Sequence, residues 1–253
     1  MNKNNSLMSL LFIPGNRVER FDKVKNTTNA SGIIIDLEGT VADVHEKNEA
    51  RTNAIEYLKR ISRQNQSFKY CLRINGLDTI HGFRDILLLL EAGVIPDVLV
   101  VSMVESANTL RQLDSLFQGK APSYIALIES TEGYRNIDEI AHSSSNLIGL
   151  ALGGGDLTSE LGASCSWDSL LYFRSRLVAA AKNANLIALD VPFNDVRVQS
   201  DELFREEVRK IKSLGFDGKL CIHSRQADML KEVFNAPDVK GPSIDLGSSD
   251  FDL

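Results

Sequence analysis

Eight apolar runs, each the length of a strand, recur along the chain with a helical segment between successive runs. In order they read "SLLFIP" (9–14), "GIIIDLE" (32–38), "YCLRIN" (70–75), "DVLVVS" (97–102), "YIALIE" (124–129), "LIGLAL" (147–152), "LIALD" (186–190) and "GKLCIH" (218–223). They are apolar on both faces rather than alternating, as parallel strands buried between two layers are. Between them, segments such as "KNEARTNAIEYLKRI", "ANTLRQLDSLF" and "DELFREEVRKIKSLG" carry apolar residues at helical spacing. Eight βα units in 253 residues predict one (β/α)8 TIM barrel. A doubly wound open sheet is the other architecture that this alternation allows.

Composition narrows the partners. A net charge of -6 argues against a nucleic-acid binder, which needs a basic face. The three cysteines, Cys71, Cys165 and Cys221, fit no zinc spacing and are odd in number, so free thiols in a reducing cytoplasm are expected. The apolar run in "MNKNNSLMSLLFI" is short and no small-x-small cleavage site follows, which favours a first strand over a signal peptide. "ILLLL" (86–90) falls far short of the ~20 residues of a membrane span. The barrel is expected over 1–236. Residues 237–253, rich in Gly, Ser, Pro and Asp, read as a short flexible acidic tail; docking of its "SSDFDL" end on a neighbouring subunit is the alternative.

In such a barrel, catalytic groups belong at the C-terminal ends of strands. Those positions hold Asp36 and Glu38, Arg73 and Asn75, Glu105, Glu129, Asp156, Asp190 and His223. A ring of carboxylates around one pocket repels itself unless a cation or shared protons relieve it. The stretch "GGGDLT" (153–158) fails the dinucleotide fingerprint, because Thr158 stands where the third glycine is needed, and no Gly-Lys-Ser/Thr follows to make a P-loop. Asp156 lies one βα unit after Glu129, and neighbouring strands are ~5 Å apart, so the pair could grip one Mg2+ with waters and substrate oxygens. Equally, Asp156 could be a helix N-cap with the glycines a turn.

The ordered set "LFIPGNRVERFDK", "IIIDLEGTV", "RINGLDT", "VES", "ALIESTEG", "LGGGDL", "RSRLVAAAKNANLIALD" and "LGFDGKLCIHSRQ" resembles the citrate lyase beta-subunit-like family of carbon–carbon lyases, over nearly the whole chain to about residue 236. The resemblance implies a (β/α)8 barrel in which Mg2+ assists cleavage or formation of the bond between an acyl-thioester enolate and an oxo acid. It implies Glu129 and Asp156 as metal ligands and Arg73 beside the thioester carbonyl. Asp36 and Glu38 would order metal-bound waters or support the groups around the metal from behind, and Arg17, Arg20 and Lys23 would lie near the nucleotide end of coenzyme A. A homotrimer is what the family suggests.

The chain departs from the family pattern at strand 4, where "SMVE" puts Ser102 and Met103 in place of Pro and Lys. Gly39 replaces an Asp, and Ser224 a Pro after His223, itself read as structural. It also resembles short members without a C-terminal lid, which leaves proton transfer to Glu38, a metal-bound water or a tail carboxylate of another chain. The expected activity is Mg2+-dependent cleavage of a short 3-hydroxyacyl-CoA to acetyl-CoA and an oxo acid, citramalyl-CoA first, with citryl-CoA or malyl-CoA next. Alternatives are a citrate lyase beta subunit acting on a carrier-protein thioester, a free-acid hydroxy-oxo-acid aldolase, and a barrel that binds CoA thioesters without catalysis.

Overall fold

The apolar runs form eight strands: β1 (Ser9–Pro14), β2 (Gly32–Asp36), β3 (Lys69–Ile74), β4 (Val98–Val101), β5 (Ser123–Ile128), β6 (Leu147–Leu152), β7 (Ile187–Asp190) and β8 (Gly218–Cys221). In this computed structural model, which describes residues 7–41, 43–61 and 67–237, each strand pairs in parallel with the next. β1 also pairs with β8, Leu10 opposite Leu220, which closes the barrel and excludes the open sheet. The segment 238–253, read as an acidic tail, lies outside the described residues.

Helices cover the outside: α1 (Phe21–Thr27), α2 (Val44–Arg60), α3 (Ile80–Ala92), α4 (Ala107–Phe117), α5 (Thr131–Arg135), α6 (Ile137–Ala141), α7 (Gly154–Glu160), α8 (Trp167–Asn183), α9 (Asp201–Leu214) and α10 (Ser224–Asn235). Their starts are written in the sequence. Asp43 caps α2 by accepting from the His45 and Glu46 amides at 2.7 and 3.3 Å, and Thr79 caps α3 by accepting from the Gly82 amide at 3.1 Å. Gly93, at φ 62°, ends α3 in the left-handed region that a side chain disfavours.

Strand side chains alternate between two cores, because successive Cβ atoms point to opposite faces. Leu10, Ile34, Cys71, Val100, Ile125, Leu127, Ala151, Leu189 and Leu220 fill the barrel interior. Ile33, Ile35, Leu72, Val101 and Ala126 pack outward under the helices. This parity decides what each strand end can reach. Asp36, Arg73 and Glu129 share the inward parity of Ile34, Cys71 and Leu127.

Asp190 has the outward parity, and the structure corrects its place in the ring of carboxylates. It is fully buried in the helix layer, bonded to Arg174 at 2.8 Å and to the buried Lys219 at 2.5 Å. Lys219 also meets Glu207 at 2.6 Å. Burial would raise the Asp190 carboxyl, but Lys219 and Arg174 outweigh it and hold the pKa below the ordinary range. Among the described residues, no helix is long and apolar enough to cross a membrane.

Candidate active site

A cavity of about 330 Å3 opens at the C-terminal end of the strands. Arg73, Glu129 and Asp156 line it, with Thr40 and Asn194 as further polar groups. Its other walls are largely apolar, including Phe12, Leu127, Leu152, Val191 and Ile222.

Parallel register places Asp36 opposite Arg73 across β2 and β3. The guanidinium grips the carboxylate with two bonds, Nε to Oδ1 at 2.6 Å and Nη2 to Oδ2 at 2.7 Å, while Nη1 meets Glu38 at 3.0 Å. The guanidinium carbon lies over the Phe12 ring, 4.7 Å from its centroid, a cation–π contact. Asp36 also accepts from the Glu38 amide and the Thr40 amide, each at 3.0 Å, and from the Thr40 hydroxyl at 2.6 Å. Burial alone would raise its pKa; Arg73 and these donors outweigh burial and lower it. Asp36 is fully buried and held by these partners, so it orients Arg73, the supporting role of the two expected for it. Gly39 is part of the same clamp, since a Cβ there would sit 2.6 Å from Nη2 of Arg73.

Glu129 is buried, and its Oε1 accepts from the Met103 amide at 2.7 Å. Met103 adopts φ 51°, a left-handed backbone that is uncommon for a residue with a side chain. Burial pushes the Glu129 carboxyl up to about 7; the Met103 amide and Arg73 oppose this, while Asp156 and Glu38 add to it. Glu38 is raised as well, by burial first, with Arg73 opposing and Asp36 and Asp156 reinforcing.

The triple glycine has two jobs that the sequence did not separate. Ile128 and Leu152 are in register on β5 and β6, so the next residues, Glu129 and Gly153, meet side by side. A Cβ on Gly153 would overlap both Cβ and Oε2 of Glu129. Gly154 is pressed against Val191 at 2.9 Å by the same test, whereas Gly155 faces open space. Gly153 and Gly154 therefore make room for Glu129 and for packing. They are also not a simple turn: α7 begins at Gly154, Gly153 is its N-cap, and Asp156 stands exposed in the first turn.

A support that sequence reading missed lies behind this face. Lys47, on the buried side of α2, donates to the Leu37 and Glu38 carbonyls at 3.1 Å each and to Asn75 Oδ1 at 2.7 Å. Asn75 in turn donates to Asp85 at 2.7 Å, and Arg51 closes the chain to Asp85 at 2.6 Å. This network pins the loop after β2, which carries Glu38, and the loop that Asn75 starts after β3, just past Arg73 on the strand. Its only signal in the sequence was a lysine on the inner face of a helix.

Arg17, Arg20 and Lys23 follow β1 on an exposed turn and helix, and none of them lines the cavity. Arg20 carries a loose 3.9 Å pair with Glu19. His223 caps α10, its Nδ1 accepting from the Arg225 amide at 3.2 Å, which is the structural role expected of it. Cys71 and Cys221 are buried thiols and Cys165 is exposed.

The carboxylates suit a cation. Glu38, Glu129 and Asp156 crowd one another, Glu129 keeps Oε2 outside its bond to Met103, and Gly153 leaves that side of it uncrowded. A pair of carboxylates of this kind fits a hard dication that takes two protein oxygens and completes its shell with water or substrate.

A family model described as HpcH/HpaI aldolase/citrate lyase matches residues 8–224. The chain is 34% identical over 251 residues to the citrate lyase subunit beta of Leuconostoc mesenteroides subsp. cremoris, covering 95% of this chain and 80% of that protein. It is 30% identical over 256 residues to an L-malyl-CoA/beta-methylmalyl-CoA lyase of Cereibacter sphaeroides, covering 90% and 79%. A crystal structure of the CitE protein of Mycobacterium tuberculosis, in complex with magnesium, acetoacetate and coenzyme A, superposes with TM-score 0.77 at 28% identity, over 92% of this chain and 83% of that one. Fold and relatives together define a carbon–carbon lyase. The chain belongs to the HpcH/HpaI aldolase/citrate lyase family.

Proposed function

We propose that the chain is a Mg2+-dependent lyase that cleaves a short 3-hydroxyacyl-CoA to acetyl-CoA and an oxo acid, with citramalyl-CoA, which gives pyruvate, as the favoured substrate. The observation that carries this reading is one cavity in which a clamped arginine faces two carboxylates suited to a dication. The relatives support it, being lyases of citrate and of malyl-CoA, as does the neighbour solved with magnesium and coenzyme A. Citramalyl-CoA is favoured over citryl-CoA by charge. Arg73 is the only cationic residue among the described residues lining the cavity, and Asp36 and Glu38 already neutralise it. An extra substrate carboxylate would meet apolar walls, where a buried charge without a partner is costly.

Glu129 and Asp156 would hold the ion. When bound, Mg2+ supplies Lewis acidity at the hydroxyl and carboxylate of the oxo-acid half. Glu38, its pKa raised, takes the hydroxyl proton. The bond between the hydroxyl-bearing carbon and the α-carbon of the thioester breaks, and its electron pair passes into the thioester as an enolate. Arg73 has three of its five N–H donors engaged by Asp36 and Glu38, which leaves two for the enolate oxygen. Such a preset donor is worth about 3–4 kcal/mol in the transition state. The enolate then takes the proton back at carbon, giving the acetyl group. Arg17, Arg20 and Lys23 would meet the phosphates of coenzyme A from the open rim.

The test is incubation with Mg2+ and a panel of hydroxyacyl-CoAs, their carrier-protein thioesters and the free acids, following acetyl-thioester and oxo-acid release. Citramalyl-CoA should turn over fastest, and Asp156→Ala should abolish both turnover and metal dependence. Cleavage of free acids alone would sink the CoA reading.

A further inference from the structure

Glu129 and Asp156 are held at the cavity by different means. Glu129 is fastened directly, its Oε1 accepting from the Met103 amide at 2.7 Å. Asp156 is exposed, and among the described residues its side chain makes no hydrogen bond or ion pair. Its place therefore depends on how α7 is seated. Gly154, Leu157 and Thr158 form the buried face of that helix. The Thr158 hydroxyl turns back on its own helix, donating to the Gly154 and Gly155 carbonyls at 2.7 and 3.1 Å. Apolar packing of Leu157 keeps α7 on the barrel, but such packing is not directional and sets rotation about the helix axis only weakly.

One side chain supplies the missing direction. Glu160 lies four residues after Asp156, on the same face of α7 one turn further on. Its Oε2 accepts from the Thr131 amide at 3.0 Å, and its Oε1 accepts from the Thr131 hydroxyl. Thr131 opens α5, two residues after Glu129. Among the described residues these are the only hydrogen bonds from α7 to another helix or strand. The far end of α5 is tied down as well. There Asn136 donates to the Glu105 carbonyl at 2.8 Å, in the loop after β4 that also supplies the Met103 amide.

We infer that Glu160 is a positioning residue whose two bonds to Thr131 latch α7 to α5 and hold Glu129 and Asp156 at the separation that suits Mg2+ rather than a larger dication. The inference rests on the reading of Glu129 and Asp156 as the ion's ligands. Mg2+ takes oxygens at about 2.0–2.1 Å in near-ideal octahedral geometry, whereas Ca2+ accepts about 2.3–2.6 Å and irregular shells. A pair freed to drift therefore loses the smaller, stricter ion first.

Calorimetry of the full chain with MgCl2 and with CaCl2 tests it, with circular dichroism as the check that each variant is folded. Glu160→Ala should weaken Mg2+ binding by about tenfold, the range usual for contacts that orient metal ligands from behind, and Ca2+ binding by no more than about twofold. Thr131→Val keeps the amide bond and changes no charge, and should cost Mg2+ about threefold, again with Ca2+ nearly unaffected. Thr131→Ser, which keeps both donors, should bind as the wild type does. The double variant Thr131→Val/Glu160→Ala should be no weaker than Glu160→Ala alone, since both changes break one latch. Equal losses for the two ions, as a bare charge effect would give, an unaltered Thr131→Val or an additive double variant would each overturn the proposal. Asp156→Ala separates it from the reading beneath it. If that variant binds Mg2+ as tightly as the wild type, the ligand assignment fails; if it loses Mg2+ while the latch variants are unaltered, the latch alone fails.

Discussion

Glu129 makes function and stability pull in opposite directions, and Glu129→Gln separates them. The carboxyl is buried beside Glu38 and Asp156, so its pKa stands at about 7 against an ordinary 4.5. A folded-state pKa that is raised for an acid means the folded chain binds the proton more tightly than the unfolded one. Stability of the metal-free protein therefore falls as pH rises from about 4.5 to about 7 and stays low above that. Moving one ionisation over that interval is worth about 3 kcal/mol at pH 8 and under about 1 kcal/mol at pH 5. A glutamine in its place would carry no such penalty and could still accept from the Met103 amide. In urea unfolding with EDTA present, Glu129→Gln should thus be about 3 kcal/mol more stable than wild type at pH 8 and near parity at pH 5. Adding Mg2+ should stabilise the wild type and not the variant, and the variant should be inactive. An equal effect of the substitution at both pH values would refute the account of Glu129 as a strained, buried anion awaiting a cation.

Two further outcomes follow from neighbouring contacts. Gly153→Ala drives a methyl into Glu129, so Mg2+ affinity measured by calorimetry should fall by at least about tenfold, while Gly155→Ala, which meets open space, should leave it unchanged. Lys219→Met takes one of its two cations from the buried Asp190 and leaves it Arg174 alone; breaking a buried pair costs up to about 3–5 kcal/mol and the remaining arginine offsets part of it, so the chemical-unfolding midpoint should drop while the folded fraction keeps its metal affinity.

The alternation of apolar runs and helical segments was enough to read the barrel, because parallel strands buried on both faces tolerate few polar interruptions and so declare themselves. For the same reason strand order was legible: eight successive units each needing a crossover leave few ways to pair. Motif order carried the family, and position after the strands drew attention to Arg73, Glu129 and Asp156. Runs that are apolar on both faces conceal parity, however. Asp36 and Asp190 each end a strand and look equivalent in the sequence, yet one turns inward to hold Arg73 and the other turns outward to Lys219 and Arg174. Only inter-strand register decides that, through contacts between residues tens of positions apart. Register likewise set Gly153 against Glu129, and helix packing brought Lys47 to the loops after β2 and β3. Local chemistry thus determined which elements form and which residue types wait at their ends. Closure of the barrel decided which of those residues share a cavity, because side-chain direction and neighbourhood arise only when the strands are joined.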